Sequence, residues 1–370
     1  MGAPVINISF IDKARTIFER AERGIVGLIL RDTPLSSGNT FRVQLPEDIP
    51  AALSNFNKKQ IKNAIIGNVT APKYIECYVI DESLTDTELD EAYAEAMNWV
   101  RSKKVHFIAI PTVLKDNKLS DVISNVKSIY DNDKKKIMAI LPFNASENHE
   151  AIVGCDFECD ANLDEETYTE TEGHYTADEF CSRIAGFIAG TPFTQSITYG
   201  TLPEIVNCNT LTVAEQDEAV NVGKLILMND GEKIKIVRGV NTLVTTTAIK
   251  KESFKKIKIV NIMNLIYDDL TVEIRDQYIG KYNNTYNDKV VLATAVNQYF
   301  KNLAMQSVIS DGNCEIDFTA QRAWLMSVGE DVTSMSEDEV LKADTGSIVF
   351  LTGKVGIPDA IEDIEFPIYL

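Results

Sequence analysis

The stretch YIECYVI, residues 74–80, decides the fold of this chain. Its aromatic and β-branched side chains are typical of a β-strand. Apolar residues then recur at helical spacing over residues 87–101, at Leu89, Tyr93, Ala96, Met97 and Val100. A strand at 105–110, a helix at 119–130 and a strand at 137–141 repeat the alternation. This β-α-β spacing predicts a doubly wound sheet covered by helices on both faces.

After the strand at 137–141 the regular alternation of predicted strands and helices gives way to other patterns. A tight hairpin is predicted around Asn229-Asp230-Gly231, because Asp-Gly suits the positive φ angles of a two-residue turn. Beyond residue 250 we expect helices near 254–279, 287–307 and 320–328, and strands near 316–318 and 348–351, which together predict an α+β domain. The predicted organisation is an extended arm at 1–23, an α/β domain at 24–250 with a small subdomain to about residue 72, an α+β domain at 251–358 and an extended arm at 359–370. The fold class is therefore α/β, with a doubly wound mixed sheet domain, an α+β C-terminal domain and extended strand arms at both termini.

Both termini show the period-2 pattern of an amphipathic strand. Such a strand is not stable alone, because its apolar face and its backbone hydrogen-bonding groups need a partner. If the partner sheet belongs to a neighbouring subunit, the chain polymerises by strand addition. The predicted intersubunit residues are Val5, Ile6, Ile8 and Phe10 at one end and Ile364, Phe366, Ile368 and Leu370 at the other.

Composition and charge narrow the functional classes. The chain has 370 residues, of which 45% are hydrophobic and 25% charged, enough for two or three domains with real cores. The net charge of -19, from 55 acidic and 36 basic residues, argues against a general nucleic-acid binder. The early apolar run at 25–30 is too short to span a bilayer, and no signal peptide precedes it, so we expect cytosolic synthesis. The six cysteines are expected to be reduced.

Motifs for catalysis are not found. There is no P-loop, no G-x-G-x-x-G after a strand and no G-x-S-x-G elbow. A Ser-His-Asp or Cys-His arrangement would need His106, His149 or His174. We interpret His106 as buried within an apolar strand and His149 as solvated in a polar loop. An enzyme on the doubly wound fold remains an alternative, and so does a tube or adaptor component of a larger assembly.

Three cysteines and one histidine are candidates for a metal site. Cys155, Cys159, His174 and Cys181 are residue types that bind zinc, but their spacing lacks the tight Cys-x-x-Cys knuckle, which favours thiols in packing or loop roles. Eleven acidic residues and no Lys or Arg fall between Glu150 and Glu179. Because this run lacks the calcium-binding loop pattern, we interpret it as a solvated loop. No cofactor is predicted.

Three segments carry a resemblance to a known family. They are RIAGFIAGTP at 183–192 continuing through QSITY at 195–199, VRGVNTL at 237–243 with KKI at 255–257, and TGSIVFL at 345–351 followed by DAIEDI at 359–364. Together they resemble contractile tail sheath proteins, of the short kind found in Gram-positive myophages, defective prophages and phage-tail-like bacteriocins. The resemblance runs nearly end to end.

This resemblance implies a structural polymer without enzymatic activity. Family members stack as six-subunit rings around a tail tube and contract when the baseplate is triggered, which drives the tube through a cell envelope. The implied partners are further copies of the chain, the tail tube protein, and baseplate and tail terminator proteins, with no nucleic acid and no membrane insertion. The protein would be made in the host bacterial cytoplasm and assembled in a virion or bacteriocin tail. Its terminal arms would complete small sheets in neighbouring subunits.

A basic window stands out in this acidic chain. Eight bases and one acid fall between Lys233 and Lys258, a local charge of +7. Two interpretations are open for Lys250, Lys251, Lys255 and Lys256. Either they face water, or they face an acidic tail tube and set the register of the sheath by weak, screened contacts.

Overall fold

A computed structural model describes residues 23–161 and 173–369. Val5, Ile6, Ile8, Phe10 and Leu370 of the predicted arms lie outside these residues. The described chain forms two compact units, a larger one of residues 23–267 and 359–369 and a smaller one of residues 268–358. The predicted domain boundaries, at 23, 250 and 358, stay predictions.

Strands and helices alternate along the larger unit. The strands are β1 (Ile25–Asp32), β2 (Thr40–Val43), β3 (Tyr74–Asp81), β4 (Phe107–Ala109), β5 (Met138–Pro142), β6 (Ile152–Cys155), β7 (Cys159–Ala161), β8 (Gly173–Tyr175), β9 (Ile205–Cys208), β10 (Lys224–Leu225), β11 (Leu227–Asn229), β12 (Ile234–Ile236), β13 (Asp311–Ile316) and β14 (Leu351–Gly356), the last two in the smaller unit. The helices are α1 (Asn55–Ile66), α2 (Asp86–Ser102), α3 (Leu119–Asp131), α4 (Ala177–Ala189), α5 (Val213–Asn221), α6 (Ile257–Glu273), α7 (Tyr286–Met305), α8 (Phe318–Ser327) and α9 (Glu337–Lys342). The two units divide inside α6.

The central sheet has seven strands in the order β10-β6-β5-β4-β1-β3-β2. All neighbours are parallel except β2, which pairs antiparallel with β3 at one edge. The strand YIECYVID is buried along nearly its whole length. The predicted mixed α/β fold is confirmed.

Each face of the sheet carries its own apolar core. On one face α2 and α3 bury the residues whose helical spacing predicted them, including Tyr93, Met97 and Ile123. On the other face α4 is buried along most of its length with α1 beside it. The two helices approach closely, since a methyl group added at Gly186 would overlap the carbonyl oxygen of Ala64.

The smaller unit is built on a two-stranded antiparallel sheet. Strands β13 and β14 pair from Asp311 opposite Gly356 to Ile316 opposite Leu351, and this pair is called the ribbon below. Helix α7 lies over the ribbon, where Phe300 occupies the space that a side chain at Gly312 would need. A small core of Leu325, Val332 and Val340 joins α8 to the α9 region. Within the described residues, no helix combines the length and apolarity needed to cross a membrane.

Several sequence predictions are corrected by the structure. The acidic stretch is not one solvated loop, since β6, β7 and β8 lie within it. Phe318 begins α8 rather than continuing a strand, because Asp317 accepts a hydrogen bond from the backbone N–H of Ala320 and caps the helix. The predicted hairpin is confirmed as β11 and β12, with Leu225 belonging instead to the central sheet.

Candidate subunit interface

Within the larger unit, the carboxylate of Glu362 fastens the C-terminal arm, residues 359–369, to residues of the 196–256 region. Its Oε1 accepts a hydrogen bond from Thr198 Oγ1 at 2.6 Å and lies 3.2 Å from Ser196 Oγ. Its Oε2 accepts from Lys256 Nζ at 2.9 Å, and Arg238 Nε lies 3.8 Å away. The Glu362 side chain is only 5% exposed. A shielded carboxylate with this many charged and hydroxyl partners makes a specific attachment.

Two flanking ion pairs widen this attachment. Lys256 also binds Asp359, and Arg238 binds Asp363. Partial burial lowers the pKa of Lys256, but its hydrogen bonds to Asp359 and Glu362 raise it by more, so the net pKa lies above that of a free lysine. The ammonium group is therefore fully charged at neutral pH. Residues 359–363 with Ser196, Thr198, Arg238 and Lys256 are called the arm anchor below.

Beyond the arm anchor the chain projects apolar side chains into solvent. Ile364 is 79% exposed, Phe366 78% and Ile368 72%. Residues 357–369 belong to no helix or strand. In this segment large apolar residues alternate with others, and the large apolar side chains are not buried. Its composition is that of a β-strand that lacks a sheet to pair with.

The arm anchor unites the three segments that carried the family resemblance. Ser196 and Thr198 come from the first segment, Arg238 and Lys256 from the second, and Glu362 from the third. Sequence analysis did not identify Glu362, Arg238, Ser196 or Thr198 as site residues. The available signal was that each of them lies in a segment that resembles the family. The structure supplies the contact that joins them.

The ribbon has two edges with different surroundings. In an antiparallel pair, alternate residues direct both backbone groups away from the partner strand. On β13 Cys314 does so, and its N–H and C=O both bind the side-chain amide of Asn297 on α7, at 2.7 and 2.8 Å. On β14 the residue opposite Cys314 is Gly353. The outward backbone groups of Leu351, Gly353 and Val355 have no hydrogen-bond partner among the described residues.

The four lysines proposed to face a tube are mostly engaged within the chain. Lys250 binds Glu150, Lys255 binds Glu252, and Lys256 belongs to the arm anchor. Lys251 is exposed. The structure therefore places Lys256 beside the predicted arm, and its main role in one copy is to hold that arm.

Of the residues considered for zinc, Cys155 and Cys181 meet in the core through a thiol–thiol hydrogen bond, but the described residues contain no cluster of three or more potential metal ligands. Asp160 and His174 pair on the exposed face of β7 and β8, whereas Cys159 and Tyr175 pair on the buried face. Cys155 and Cys181 are also buried, and burial raises the pKa of the Cys181 thiol well above its ordinary value. These thiols fill the core as small apolar groups.

The other two histidines also have structural partners. His106 is buried as predicted, its Nδ1 accepts a hydrogen bond from Ile25 N, and burial holds its pKa well below the ordinary value. The prediction that His149 is solvated is wrong. Its ring is buried, with Nδ1 accepting from Ala151 N and Nε2 3.0 Å from Asp131. None of these partners is a serine or cysteine nucleophile.

Comparison with known protein sequences identifies the same family that the three sequence segments resemble. The sequence model of the phage tail sheath protein central domain matches residues 67–242, and that of the phage tail sheath C-terminal domain matches residues 250–370. The tail sheath protein of Clostridium phage phiCD119 is 32% identical over 371 residues, covering 100% of this chain and 99% of that protein.

Solved structures share the fold. The sheath tail protein of Desulfitobacterium hafniense superposes with a TM-score of 0.66 at 16% identity, over 85% of this chain and 94% of that one. The sheath complex of an extracellular contractile injection system, in its contracted state, superposes with a TM-score of 0.64 at 12% identity, over 100% of this chain and 98% of that one. With its fold, its two matched domains and a full-length relative in agreement, the chain belongs to the phage tail sheath protein family.

Proposed function

We propose that this chain is the structural subunit of a contractile tail sheath, which polymerises as stacked hexameric rings around a tail tube. The observation that carries this proposal is the C-terminal arm, anchored at its base through Glu362 and bare along Ile364, Phe366 and Ile368. Such a segment is suited to enter the sheet of a neighbouring copy. Head-to-tail contacts of this kind do not close on themselves along an axis and so generate helical assemblies.

Strand addition would link copies without fixing their mutual angle. Each backbone hydrogen bond between copies contributes about 1 kcal/mol net. Burial of the apolar side chains adds about 25 cal/mol per Å². Links of this strength persist while subunits rotate and slide, and the energy of contraction comes from surfaces that pair better in the compact lattice. No nucleotide is needed to drive the tube through the target envelope.

The remaining partners follow from the same role. We expect the chain to bind the tail tube protein inside the sheath and the baseplate and tail terminator proteins at its ends. Synthesis in the host bacterial cytoplasm precedes assembly into a virion or bacteriocin tail. A non-enzymatic role is supported by the full-length tail sheath relative and by the backbone and carboxylate partners of all three histidines. Membership of the sheath family also favours a sheath over a tube or adaptor.

The proposal is tested by removing residues 364–370 and leaving the arm anchor intact. Full-length protein should form hollow tubes or stacked rings in negative-stain electron microscopy. The truncated protein should keep its circular dichroism spectrum and thermal midpoint but sediment as a monomer. Ile249→Asp, which alters another strongly exposed apolar residue, is the matched control and should still polymerise.

Two outcomes would overturn the role given to the arm. Tubes formed by the truncated protein would show that residues 364–370 are dispensable for polymerisation. Loss of the folded state on truncation would show that the segment belongs to the core of its own subunit. If full-length protein forms no tubes or rings at any concentration tried, the sheath function itself is wrong.

A further inference from the structure

Two pairs of cysteines lie in the core on the α4 side of the central sheet. Cys159 on β7 is directly opposite Cys208 on β9, in the three-stranded sheet of β8, β7 and β9, and both side chains are on its buried face. Cys155 at the end of β6 meets Cys181 on α4 through a thiol–thiol hydrogen bond. All four are free thiols. The two pairs differ in backbone geometry and in access to solvent.

The backbone of the Cys159–Cys208 pair has the spacing of a disulfide. Residues directly opposite each other in antiparallel strands have Cα atoms about 4.5 or 5.5 Å apart, the larger value where the two residues hydrogen-bond to each other. Disulfides span Cα separations of about 4.4–6.8 Å, so either kind of pair is within range. The register of β7 and β9 shifts only beyond Cys159, between Asp160 and Ala161. Joining the two sulfur atoms therefore leaves the pairing of the strands unchanged.

Cys208 is the thiol of these four that an oxidant reaches first. It is 8% exposed, against 2% for Cys159 and 1% or less for Cys155 and Cys181. It ends β9, the strand at one side of the three-stranded sheet, and the preceding Val206 is exposed. Burial raises the pKa of both Cys159 and Cys208, so the thiolate is a small fraction at neutral pH and exchange at this pair is slow.

We propose that Cys159 and Cys208 are a redox pair that forms a disulfide once the protein leaves the reducing cytosol. The Cys208 thiolate attacks a small-molecule disulfide such as glutathione disulfide, which gives a mixed disulfide and releases one thiolate. The Cys159 thiolate then attacks the Cys208 sulfur and displaces the second thiolate. The pair loses two protons and two electrons, and the small disulfide is reduced to two thiols.

This bond closes the chain segment from residue 159 to residue 208. The segment contains α4 and the two hydroxyl partners of Glu362 in the arm anchor, Ser196 and Thr198. A crosslink at its ends restricts the unfolded chain and so stabilises the folded one. The change of compartment rests on the proposed function, since a sheath that acts on the envelope of another cell must leave the cell in which it is made. The pairing of the two thiols does not depend on that function.

The pair is tested in the full-length protein, which is purified in the reduced form and incubated with an excess of glutathione disulfide. Remaining thiols are blocked with N-ethylmaleimide. The protein is then digested with trypsin and with a protease that cleaves after glutamate, and the peptides are identified by mass spectrometry. Glu158 separates Cys155 from Cys159, and Glu179 separates Cys159 from Cys181, so a linked peptide identifies its cysteines.

We expect four free thiols per chain in place of six, and a peptide that joins Cys159 to Cys208. The thermal midpoint should rise by about 5–10 °C. Dithiothreitol should reverse all three changes. Cys159→Ala should lose the link and the gain in midpoint. Cys155→Ala, which removes a comparably buried thiol, is the matched control and should keep both.

Three outcomes would overturn the assignment. Six free thiols after prolonged incubation would show that the pair serves only to fill the core. A stable mixed disulfide of Cys208 with glutathione would show that Cys159 cannot reach it. A link between Cys155 and Cys181 in its place would show that the wrong pair was chosen. Electron microscopy of the reduced protein tests tube formation separately, so the sheath function and the redox pair can each fail alone.

Discussion

At the scale of single residues, Glu362 connects the sequence of this chain to its proposed function. Its carboxylate joins three segments that are distant along the chain. Composition and spacing do not reveal this role, since Glu362 is one acidic residue among 55 and stands in a stretch predicted as an extended strand arm. The similarity of the three segments to one family marked the region, and only coordinates show that it is a single cluster.

Replacing Glu362 should loosen the arm without disturbing the core. Glu362→Ala removes the charged hydrogen bonds to Lys256 and the hydroxyl contacts of Thr198, so we expect the free energy of unfolding to fall by about 1–3 kcal/mol. Hydrogen exchange measured by mass spectrometry should accelerate at residues 359–363. Glu365→Ala, at an exposed site, is the matched control and should change neither quantity. Unchanged exchange at 359–363 in Glu362→Ala would show that the carboxylate does not hold the arm.

The pKa of Lys256 tells over which pH range the arm anchor persists. Because the folded-state pKa is raised, the stability that the charged amine contributes is fully present below the unfolded pKa of about 10.4. It is lost only as the pH rises through the still higher folded value. The lysine side of the arm anchor is thus insensitive to pH across the physiological range.

At the scale of elements, the backbones of α1 and α4 approach each other closely at Gly186. The sequence pattern of residues 177–189 predicts a helix with the bounds that α4 has in the structure. The four-residue spacing of Gly186 and Gly190 is compatible with close helix packing but does not require it. The structure places the carbonyl oxygen of Ala64 where a Cβ of Gly186 would lie, and that of Thr70 where a Cβ of Gly190 would lie. Both glycines are therefore needed for the approach of other backbone segments.

Gly186→Ala should destabilise the larger unit although alanine favours helices. The added methyl group meets backbone atoms, which cannot move aside as a flexible side chain can, so we expect a loss of about 1–3 kcal/mol in the free energy of unfolding. Urea denaturation followed by circular dichroism measures it. Ser124→Ala, on the exposed face of α3, makes a comparable helical substitution and should be neutral or slightly stabilising. An equal result for both variants would mean that the helices can separate without cost.

How far the sequence predicts the elements depends on how local their determinants are. Periodic helices such as α2 and α3 and the continuous strand β3 were predicted because each carries its own pattern. The central strand β1 was noted only as an apolar run too short for a membrane, since Gly27 interrupts it and its helical neighbours are distant. Strand β14 was missed because Gly353 and Gly356 weaken its strand signal. Its pairing with β13, across an intervening pair of helices, is a tertiary property.

At the scale of the whole molecule, the basic window between Lys233 and Lys258 contains the lysines that are predicted to face a tail tube. Ion pairs within the chain engage Lys250, Lys255 and Lys256, and a variant that includes Lys256 would also weaken the arm anchor. Lys251 and Lys255 provide a cleaner test. Their contacts with an acidic tube would be weak and screened by salt, as suits a sheath that releases the tube on contraction.

Lys251→Glu combined with Lys255→Glu should abolish assembly on tail tubes and leave tube-free polymerisation intact. Raised salt should produce the same defect in the wild type. Lys104→Glu combined with Lys301→Glu changes the net charge equally at other exposed positions and should assemble normally. Co-sedimentation with purified tubes and electron microscopy provide the readout. If the first variant still builds full-length sheath on tubes, Lys251 and Lys255 are solvated surface residues and do not bind the tube.

A strand link that is clamped at one end has a mechanical consequence. With its base fixed at Asp363, residues 364–370 of the arm can extend to at most about 25 Å. Successive copies would then be joined by inextensible straps that bend freely at both ends. A net of this kind can shear, widen and shorten while every strap keeps its length. Load on a firing particle would be borne as tension along the straps, with the ionic clamp around Glu362 setting the force at which one pulls free.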